Sequence, residues 1–129
     1  MMYSLVVGSL YTRAEIRELI GLDPRFLGGS WATGYVQHDC DWFVFANVNS
    51  EGRTGHDYGN AWVNGSLHWS GKTNSRREHP SIQSLLIGQV FIFTREDNRS
   101  PFAFAGLGKV QEVIDTVPVQ IVWEFATDE

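Results

Sequence analysis

Residues 60–69 read Asn-Ala-Trp-Val-Asn-Gly-Ser-Leu-His-Trp, and this stretch decides the kind of fold that the rest of the sequence must complete. Asn64-Gly65 is a favoured pair for a tight hairpin turn, because such a turn needs positive φ angles. Aromatic residues, which are frequent strand formers, stand on both sides of that pair. The stretch therefore predicts a β-hairpin over residues 60–69.

Other runs predict further strands around this hairpin. Residues 42–49 and 90–94 are rich in aromatic and β-branched side chains, which is typical of strands. Phe102 and Phe104 alternate with alanines in a third run. Residues 117–125 place apolar side chains at every second position and so give one apolar face. Together with the hairpin, these runs predict about six short strands.

Two segments have helix signals. Thr12 and Glu15 stand at the spacing of a capping box, apolar residues then recur on one face, and Gly21 is a plausible stop. Pro80 suits the first turn of a second short helix that ends near residue 86. The sequence therefore predicts one α+β domain over residues 1–129, with a curled β-sheet or small β-barrel and one or two short helices.

The composition fits a small globular protein. The chain has 129 residues, of which 43% are apolar and 19% charged, so it is neither disordered nor membrane-embedded. No apolar run approaches the roughly 20 residues of a spanning helix, and the start lacks the basic region of a secretory signal. We therefore expect a cytoplasmic protein without a membrane partner. The single cysteine excludes an internal disulfide framework and a multi-cysteine zinc site.

The net charge of -5 is unevenly distributed. Residues 1–110 contain ten basic and ten acidic side chains, whereas residues 111–129 contain five acidic side chains and no basic one. The total disfavours a nucleic-acid partner, but the neutral body leaves room for a local basic face.

The sequence lacks the common catalytic motifs. It contains no P-loop, no G-x-S-x-G elbow and no paired histidines at helical metal-ligand spacing. Cys40 stands between two aspartates, which disfavour its thiolate, so we expect a structural or incidental cysteine. The remaining candidate ligands match no known metal-site spacing: His38, Asp39, Asp41, His56, Asp57 and His68. We therefore expect a binding domain rather than an enzyme, with no metal and no cofactor.

Residues 55–77 are the segment richest in functional side chains. Aromatic, amide and hydroxyl groups are followed by three cations, Lys72, Arg76 and Arg77. Aromatic faces stack on bases, polar groups read base edges, and cations neutralise phosphate. In the alternative interpretation, Trp62 and Trp69 are hairpin core residues and the cations belong to a solvated loop. The pattern leaves both interpretations open.

Motifs along most of the chain resemble those of known DNA-associated domains. The segments that carry the resemblance are Tyr11-Thr12-Arg13-x-Glu15-Ile16, Tyr58-x-Asn60, Leu67-His68-Trp69-Ser70-x-Lys72, residues 90–95, Pro101-Phe102-x-Phe104-x-Gly106 and residues 117–124. This order of motifs resembles a domain of unknown function at the C-terminus of bacterial restriction and phage-defence helicases. It is also similar to the SRA-like (SET and RING associated) domains joined to HNH nucleases in modification-dependent restriction enzymes.

The resemblance implies a PUA/SRA-like fold and a reader of modified double-stranded DNA. In such a reader, a modified base, here expected to be a modified cytosine, leaves the stack and enters an aromatic pocket. The sequence has no nuclease or helicase motif of its own, so the chain is either a stand-alone reader or a domain cut from a larger enzyme, with a fused or associated nuclease or helicase as the candidate partner. It leaves the oligomeric state open.

The resemblance also suggests roles for individual residues. The expected pocket residues are Tyr58, Asn60, Trp62, Trp69, Asp57 and Trp31, with Tyr35 and Trp42 as further aromatic candidates outside the motif. The expected contacts to the DNA backbone are Ser70, Lys72, Arg76, Arg77, Arg13 and Arg95, with Arg53 as an additional cation. For Arg13, the capping box around it offers a purely structural alternative.

Two other functions fit the same sequence. The aromatic pocket could hold a free nucleotide or another small planar ligand and act as the sensor domain of a defence effector. A protein-interaction module is the third interpretation, with the acidic C-terminal strand as its contact surface.

Overall fold

The fold is described from a computed structural model that covers residues 3–25, 31, 33–48, 60–97 and 99–125. Within these ranges the chain forms eight strands and two helices. In chain order they are β1 (Leu10–Tyr11), α1 (Arg13–Leu19), β2 (Tyr35–His38), β3 (Asp41–Asn47), β4 (Ala61–Val63), β5 (Ser66–Ser70), α2 (Pro80–Ile87), β6 (Gln89–Arg95), β7 (Phe102–Ile114) and β8 (Gln120–Phe125).

The strands form one sheet in the order β2-β3-β6-β7-β8-β5-β4, and β1 pairs with β7 beside this path. Neighbouring strands are antiparallel except for β3 and β6, which run parallel. Tyr35 on β2 and Trp69 on β5 come from opposite ends of this order, yet their rings meet edge to face at 5.4 Å. The sheet is therefore curled, and we call the gap between the β2–β3 pair and the β4–β5 hairpin the seam.

Each face of the curled sheet carries its own apolar core. The inner core contains Trp69, Trp123 and Trp42, together with Ile82 and Leu85 of α2. The outer core contains the phenylalanines of β3, β6 and β7 with Ile16 of α1. Strand β3 alternates between the two cores, so it is buried on both faces and reads as a continuous apolar run.

The two helices begin where the sequence signals predict. Thr12 Oγ1 accepts the Glu15 amide at 3.1 Å, and Glu15 Oε1 accepts the Thr12 amide at 2.9 Å, which completes the capping box of α1. Pro80 opens α2, and the Trp42 indole N–H donates to Ser84 Oγ at 3.1 Å. This bond attaches α2 to β3 on the inner face.

The predicted hairpin turn is confirmed, whereas the described part of the chain has eight strands rather than about six. Asn64 and Gly65 both have positive φ, 51° and 83°, as the tight turn requires. The structure adds β1 and β2, which are too short to give a composition signal. Strand β7 extends far beyond the expected run because its first part pairs with β6 and its second part with β8.

Neither helix in the described part of the chain is long and apolar enough to cross a membrane.

Candidate nucleic-acid interface

Trp69 lies on the inner face at the seam. Its side chain is 3% exposed and contacts Tyr35 on one side and Trp123 on the other, with ring centroids 6.4 Å apart in the second pair. Strand alternation explains the position, since Leu67 and Trp69 point inward and His68 between them does not. Trp69 is thus a buried core residue that lies at the seam.

Asn60 bridges the seam with its side-chain amide. Its Nδ2 donates to the carbonyl oxygen of Asn47 at 3.2 Å, and its Oδ1 accepts the backbone amide of Ser70 at 2.9 Å. Asn47 ends β3, and Ser70 ends β5. The predicted edge reader therefore has both amide atoms engaged with backbone groups.

Lys72 covers Tyr35 from the hairpin side of the seam. Its Nζ lies 4.3 Å from the centroid of the Tyr35 ring, which is a cation–π contact. Burial lowers the pKa of the Lys72 ammonium. Burial also raises the pKa of Tyr35, an effect that a hydrogen bond with the Lys72 backbone partly offsets. Two of the predicted residues, Trp69 and Lys72, thus meet at Tyr35.

The following loop is fixed by a close approach at Gly71. Its amide donates to the Val119 carbonyl at 2.8 Å, and a Cβ added at this position would lie 2.5 Å from Ser75 Oγ. Only glycine fits there without a shift of its neighbours. The motif Trp69-Ser70-Gly71-Lys72 is therefore held residue by residue to the strands around it.

Arg13 and Arg95 lie together around one aromatic ring. Their guanidinium carbons are 5.2 Å and 4.1 Å from the centroid of the Phe102 ring. Arg13 donates to the carbonyl oxygens of Trp31 and Thr33 at 2.6 Å and 2.9 Å. Arg95 donates through Nε to Asn47 Oδ1 at 2.7 Å. Both cations therefore lie near the carboxyl ends of strands β3 and β6, which we call the cationic edge.

Neither arginine forms a salt bridge in the part of the chain that the structure describes, although the charge of Asp97 acts on Arg95. Within these residues, no Asp or Glu oxygen lies within 4.0 Å of either guanidinium. Burial and then the charge of Arg95 lower the pKa of Arg13 to about 10, and burial lowers that of Arg95. An anion bound beside them would relieve this unfavourable arrangement.

Acidic residues lie at the other end of the long strand. Phe102 is the first residue of β7, and Glu112 is ten positions further along the same strand. At about 3.3 Å per residue, this corresponds to roughly 30 Å of strand. Glu112, an acidic residue of the C-terminal segment, thus lies at the opposite end of β7 from Phe102 and the two arginines.

Other predicted residues lie away from the seam. Trp31 is 7% exposed and packs in the outer core against Phe43, on the opposite face of the sheet from Trp69. Trp62 is 38% exposed on the edge strand β4, with its ring 5.3 Å from that of Phe125. The structure therefore does not bring these two tryptophans together with Trp69.

Arg76 and Arg77 are exposed in the loop before α2. The carbonyl oxygen of Arg77 accepts a hydrogen bond from Gln83, and the Arg76 amide donates to His79 Nδ1 at 3.2 Å. These backbone bonds shape the loop and leave both charged side chains facing solvent. Arg53, Asp57 and Tyr58 lie outside the described residues.

Asn47 is the site residue that the sequence reasoning missed. Its side chain binds Arg95, and its carbonyl oxygen binds Asn60. The available signal was an amide at the end of a buried apolar strand, shortly before the mostly polar residues 49–59. Such a residue has no apolar face to pack, so its position calls for hydrogen-bond partners.

Neither a metal centre nor a buried thiol occurs among the described residues. Within them, no three His, Cys, Asp or Glu side chains come together in a way that could hold a metal ion. Two of the candidate ligands, His56 and Asp57, lie outside the described ranges. Cys40 is exposed in the turn between β2 and β3, so it does not serve as a buried apolar residue.

The arrangement of strands and helices is that of SRA domains. A structure of the SUVH5 SRA domain in a methylated CHH DNA complex matches with a TM-score of 0.64 and 14% identity, over 100% of this chain and 94% of that one. A structure of the SUVH5 SRA domain in a hemimethylated CG DNA complex matches with a TM-score of 0.61 and 12% identity, over 100% and 96%. No family model matches the chain, and no curated protein does. The protein therefore has an SRA-like fold, and its likeness to the bacterial helicase domain has no support beyond the motifs.

Proposed function

We propose that this domain binds double-stranded DNA and recognises a modified base at the seam. The observation that carries the proposal is the contact of Tyr35 with both Trp69 and Lys72 at the seam of a curled sheet. The structures of the similar SUVH5 SRA domains are of complexes with methylated DNA. Aromatic rings beside a cation suit a nucleotide, because the rings can stack on its planar base and the cation can bind a phosphate that flanks it.

The DNA backbone lies along the edge that carries Arg13, Arg95 and Lys72. Arg13 and Arg95 lie over Phe102 of the outer core and Lys72 lies over Tyr35 of the inner core, and Arg13 donates to the Thr33 carbonyl two residues before that tyrosine. Arg76 and Arg77 extend the basic surface into the exposed loop. Ser70 follows Trp69 and precedes Lys72 in the sequence, and it contacts the DNA backbone at the rim of the pocket. The acidic end of β7 faces away from the DNA.

The base enters at the seam. We assign base stacking to Trp69 and, from the sequence motif, to Tyr58, with Asp57 as the polar group for the base edge. A modified cytosine is the expected base, since its exposed polar edge and its added group both give a pocket something to read. Trp31 and Trp62 lie in the outer core and at the sheet edge, so we leave them out of the pocket.

The role that fits such a domain is the specificity module of a modification-dependent restriction or phage-defence system. The domain itself is non-catalytic, and a fused or associated nuclease or helicase acts on the DNA. This context is inferred from the motif resemblance.

Fluorescence anisotropy with paired duplexes tests the proposal. One duplex carries 5-methylcytosine or 5-hydroxymethylcytosine, and the other has the same sequence without the modification. We expect tighter binding to at least one modified duplex at low salt. Equal binding to every duplex of the panel, or no binding to any, would refute the proposal.

A second candidate is a domain that binds a free nucleotide. The observation that favours it is the cluster of aromatic rings around Trp69, in a chain with only ten basic residues. A thermal-shift panel of nucleotides separates the two functions, because a ligand bound only by the folded state raises the apparent stability. A shift with a free nucleotide and no preference between duplexes would favour this candidate.

A further inference from the structure

The seam is closed by side chains rather than by a β-ladder. In the described sheet, β2 ends one side of the order and the β4–β5 hairpin ends the other, and the two do not pair. A pair of strands shares a row of backbone hydrogen bonds, whereas this junction depends on a few individual contacts. The geometry of the seam is therefore sensitive to single residues.

The Asn60 amide is the central contact of this junction. It joins the end of β3 to the end of β5, through the Asn47 carbonyl and the Ser70 amide. Asn60 is partly buried, so these bonds compete only weakly with water. Trp69 is adjacent to Ser70 in sequence, which places the aromatic wall one residue from the bond.

Arg95 fixes the other end of the junction. Its Nε donates to Asn47 Oδ1 at 2.7 Å, and its carbonyl oxygen accepts the Val48 amide at 2.8 Å. A continuous set of hydrogen bonds thus runs from Arg95 through Asn47 and Asn60 to Ser70. It connects the cationic edge with the aromatic wall.

We propose that Asn60 is a positioning residue, which fixes the aromatic wall relative to the cationic edge and so sets the preference for the modified base. This inference rests on the proposed function. Asn60 acts through Ser70 and Asn47 and does not itself read the base. The critical Asn60 bond is the one to the Asn47 carbonyl, because it crosses the seam, as does the hydrogen bond between Tyr35 and the Lys72 backbone.

Two substitutions separate the two bonds. Asn60→Asp keeps an oxygen that can accept the Ser70 amide but loses the N–H that Asn47 accepts. Asn60→Ala loses both. Ser66→Ala is the matched control, since it removes a hydrogen bond to Gln111 of 2.7 Å from the far, exposed end of the same hairpin.

Hydrogen exchange measured by NMR checks the geometry without DNA. The Ser70 amide should be protected in the wild type and in Asn60→Asp, and should exchange at least about fivefold faster in Asn60→Ala. Equal protection of the Ser70 amide in all three proteins would show that Asn60 does not hold this residue and would overturn the inference.

Anisotropy titrations then measure the ratio of the dissociation constants for the unmodified and modified duplexes. We expect Asn60→Asp and Asn60→Ala to reduce this ratio about fivefold to tenfold, with the affinity for the unmodified duplex changed less than about twofold. Ser66→Ala should keep the wild-type ratio. A parallel loss of affinity for both duplexes, or an unchanged ratio in Asn60→Asp, would overturn the inference.

The wild-type titration separates this inference from the proposed function. If the wild type does not distinguish the duplexes, the proposed function fails and the inference fails with it. If the wild type distinguishes them and both Asn60 variants do so equally well, only the inference fails.

Discussion

The rings of Tyr35 and Trp69 meet edge to face at 5.4 Å, although the two residues belong to strands at opposite ends of the sheet order. Edge-to-face aromatic pairs contribute about 0.5–1.5 kcal/mol beyond their buried area. This contact brings the signature tryptophan of the hairpin to the opening of the curled sheet. The account of base recognition depends on that placement.

The first prediction assigns different roles to Trp69 and Arg76. Trp69→Phe should lower the affinity for the modified duplex about fivefold to tenfold and leave the affinity for the unmodified duplex unchanged, because stacking contributes about 1–3 kcal/mol per base. Arg76→Ala should lower the affinity for both duplexes by the same factor. The larger truncation Trp69→Ala is unsuitable, since the cavity that it leaves beside Trp123 would cost about 3–5 kcal/mol of stability. Paired anisotropy titrations provide the measurement, and the reverse pattern would reject this division of roles.

The second prediction concerns salt. If Arg76 and Arg77 each contact a phosphate, the double substitution to alanine should reduce the slope of log affinity against log salt by about two units. The preference for the modified base should remain. Titrations between low and moderate salt measure the slope, and Arg25→Ala serves as a control because Arg25 is an exposed arginine paired with Asp23 at 3.1 Å. An unchanged slope in the double variant would place the DNA elsewhere.

A third prediction concerns the loop that holds Lys72. Gly71→Ala should destabilise the fold by about 1–3 kcal/mol, because the added methyl group would lie 2.5 Å from Ser75 Oγ. That hydroxyl is buried and has no hydrogen-bond partner among the residues that the structure describes, so Ser75→Ala should be neutral or slightly stabilising. Combining the two should recover most of the stability lost in Gly71→Ala. Additive losses in a double-mutant cycle of urea unfolding would contradict the predicted contact.

The fourth prediction separates stability from recognition at α1. Thr12→Ala removes one half of the capping box and should lower the free energy of unfolding by about 1 kcal/mol. Thr12→Ser should restore most of this loss, since it keeps the hydroxyl. Thermal unfolding checks the effect, and the ratio of duplex affinities should stay at its wild-type value in both variants.

The fifth prediction concerns the pH dependence of stability at Tyr3. Its hydroxyl donates to Asp41 Oδ2 at 3.0 Å, and burial together with that carboxylate raises the pKa of Tyr3 to about 12. Because the pKa of the folded state is above the ordinary value of about 10, the stabilisation is complete below pH ~10 and is lost as the pH rises toward ~12. Tyr3→Phe should be less stable than the wild type at neutral pH, and the difference should shrink across that range. A difference that grows with pH would contradict the sign.

Local chemistry made part of the fold predictable. Asn64-Gly65 identified the hairpin turn because few residue pairs adopt two positive φ angles, and Thr12 with Glu15 identified the start of α1 because their spacing completes a capping box. Strand β2 was missed since four residues of mixed polarity give no periodic signal. The curl of the sheet depends on the long-range contact between Tyr35 and Trp69, which no local pattern contains.

The candidate site shows the same division. Trp62 and Trp69 belong to the two strands of one hairpin, yet one lies at the exposed edge of the sheet and the other in the inner core. Trp31 has an outer-core position that only its contacts with Phe43 and the arginines of α1 reveal. The partners of Asn60 are backbone atoms of distant residues, so its bridging role is invisible to motif reasoning.

Photocrosslinking tests most directly the claim that a modified base is read at the seam. A duplex with a single 5-iodocytosine in place of the modified base is irradiated with the wild-type protein, and the crosslinked residue is mapped by mass spectrometry. The account predicts a crosslink at Trp69 or at another residue of the seam, and its loss when an unlabelled modified duplex competes. A crosslink at Trp62 or Trp31, or competition that is equally strong from the unmodified duplex, would contradict it.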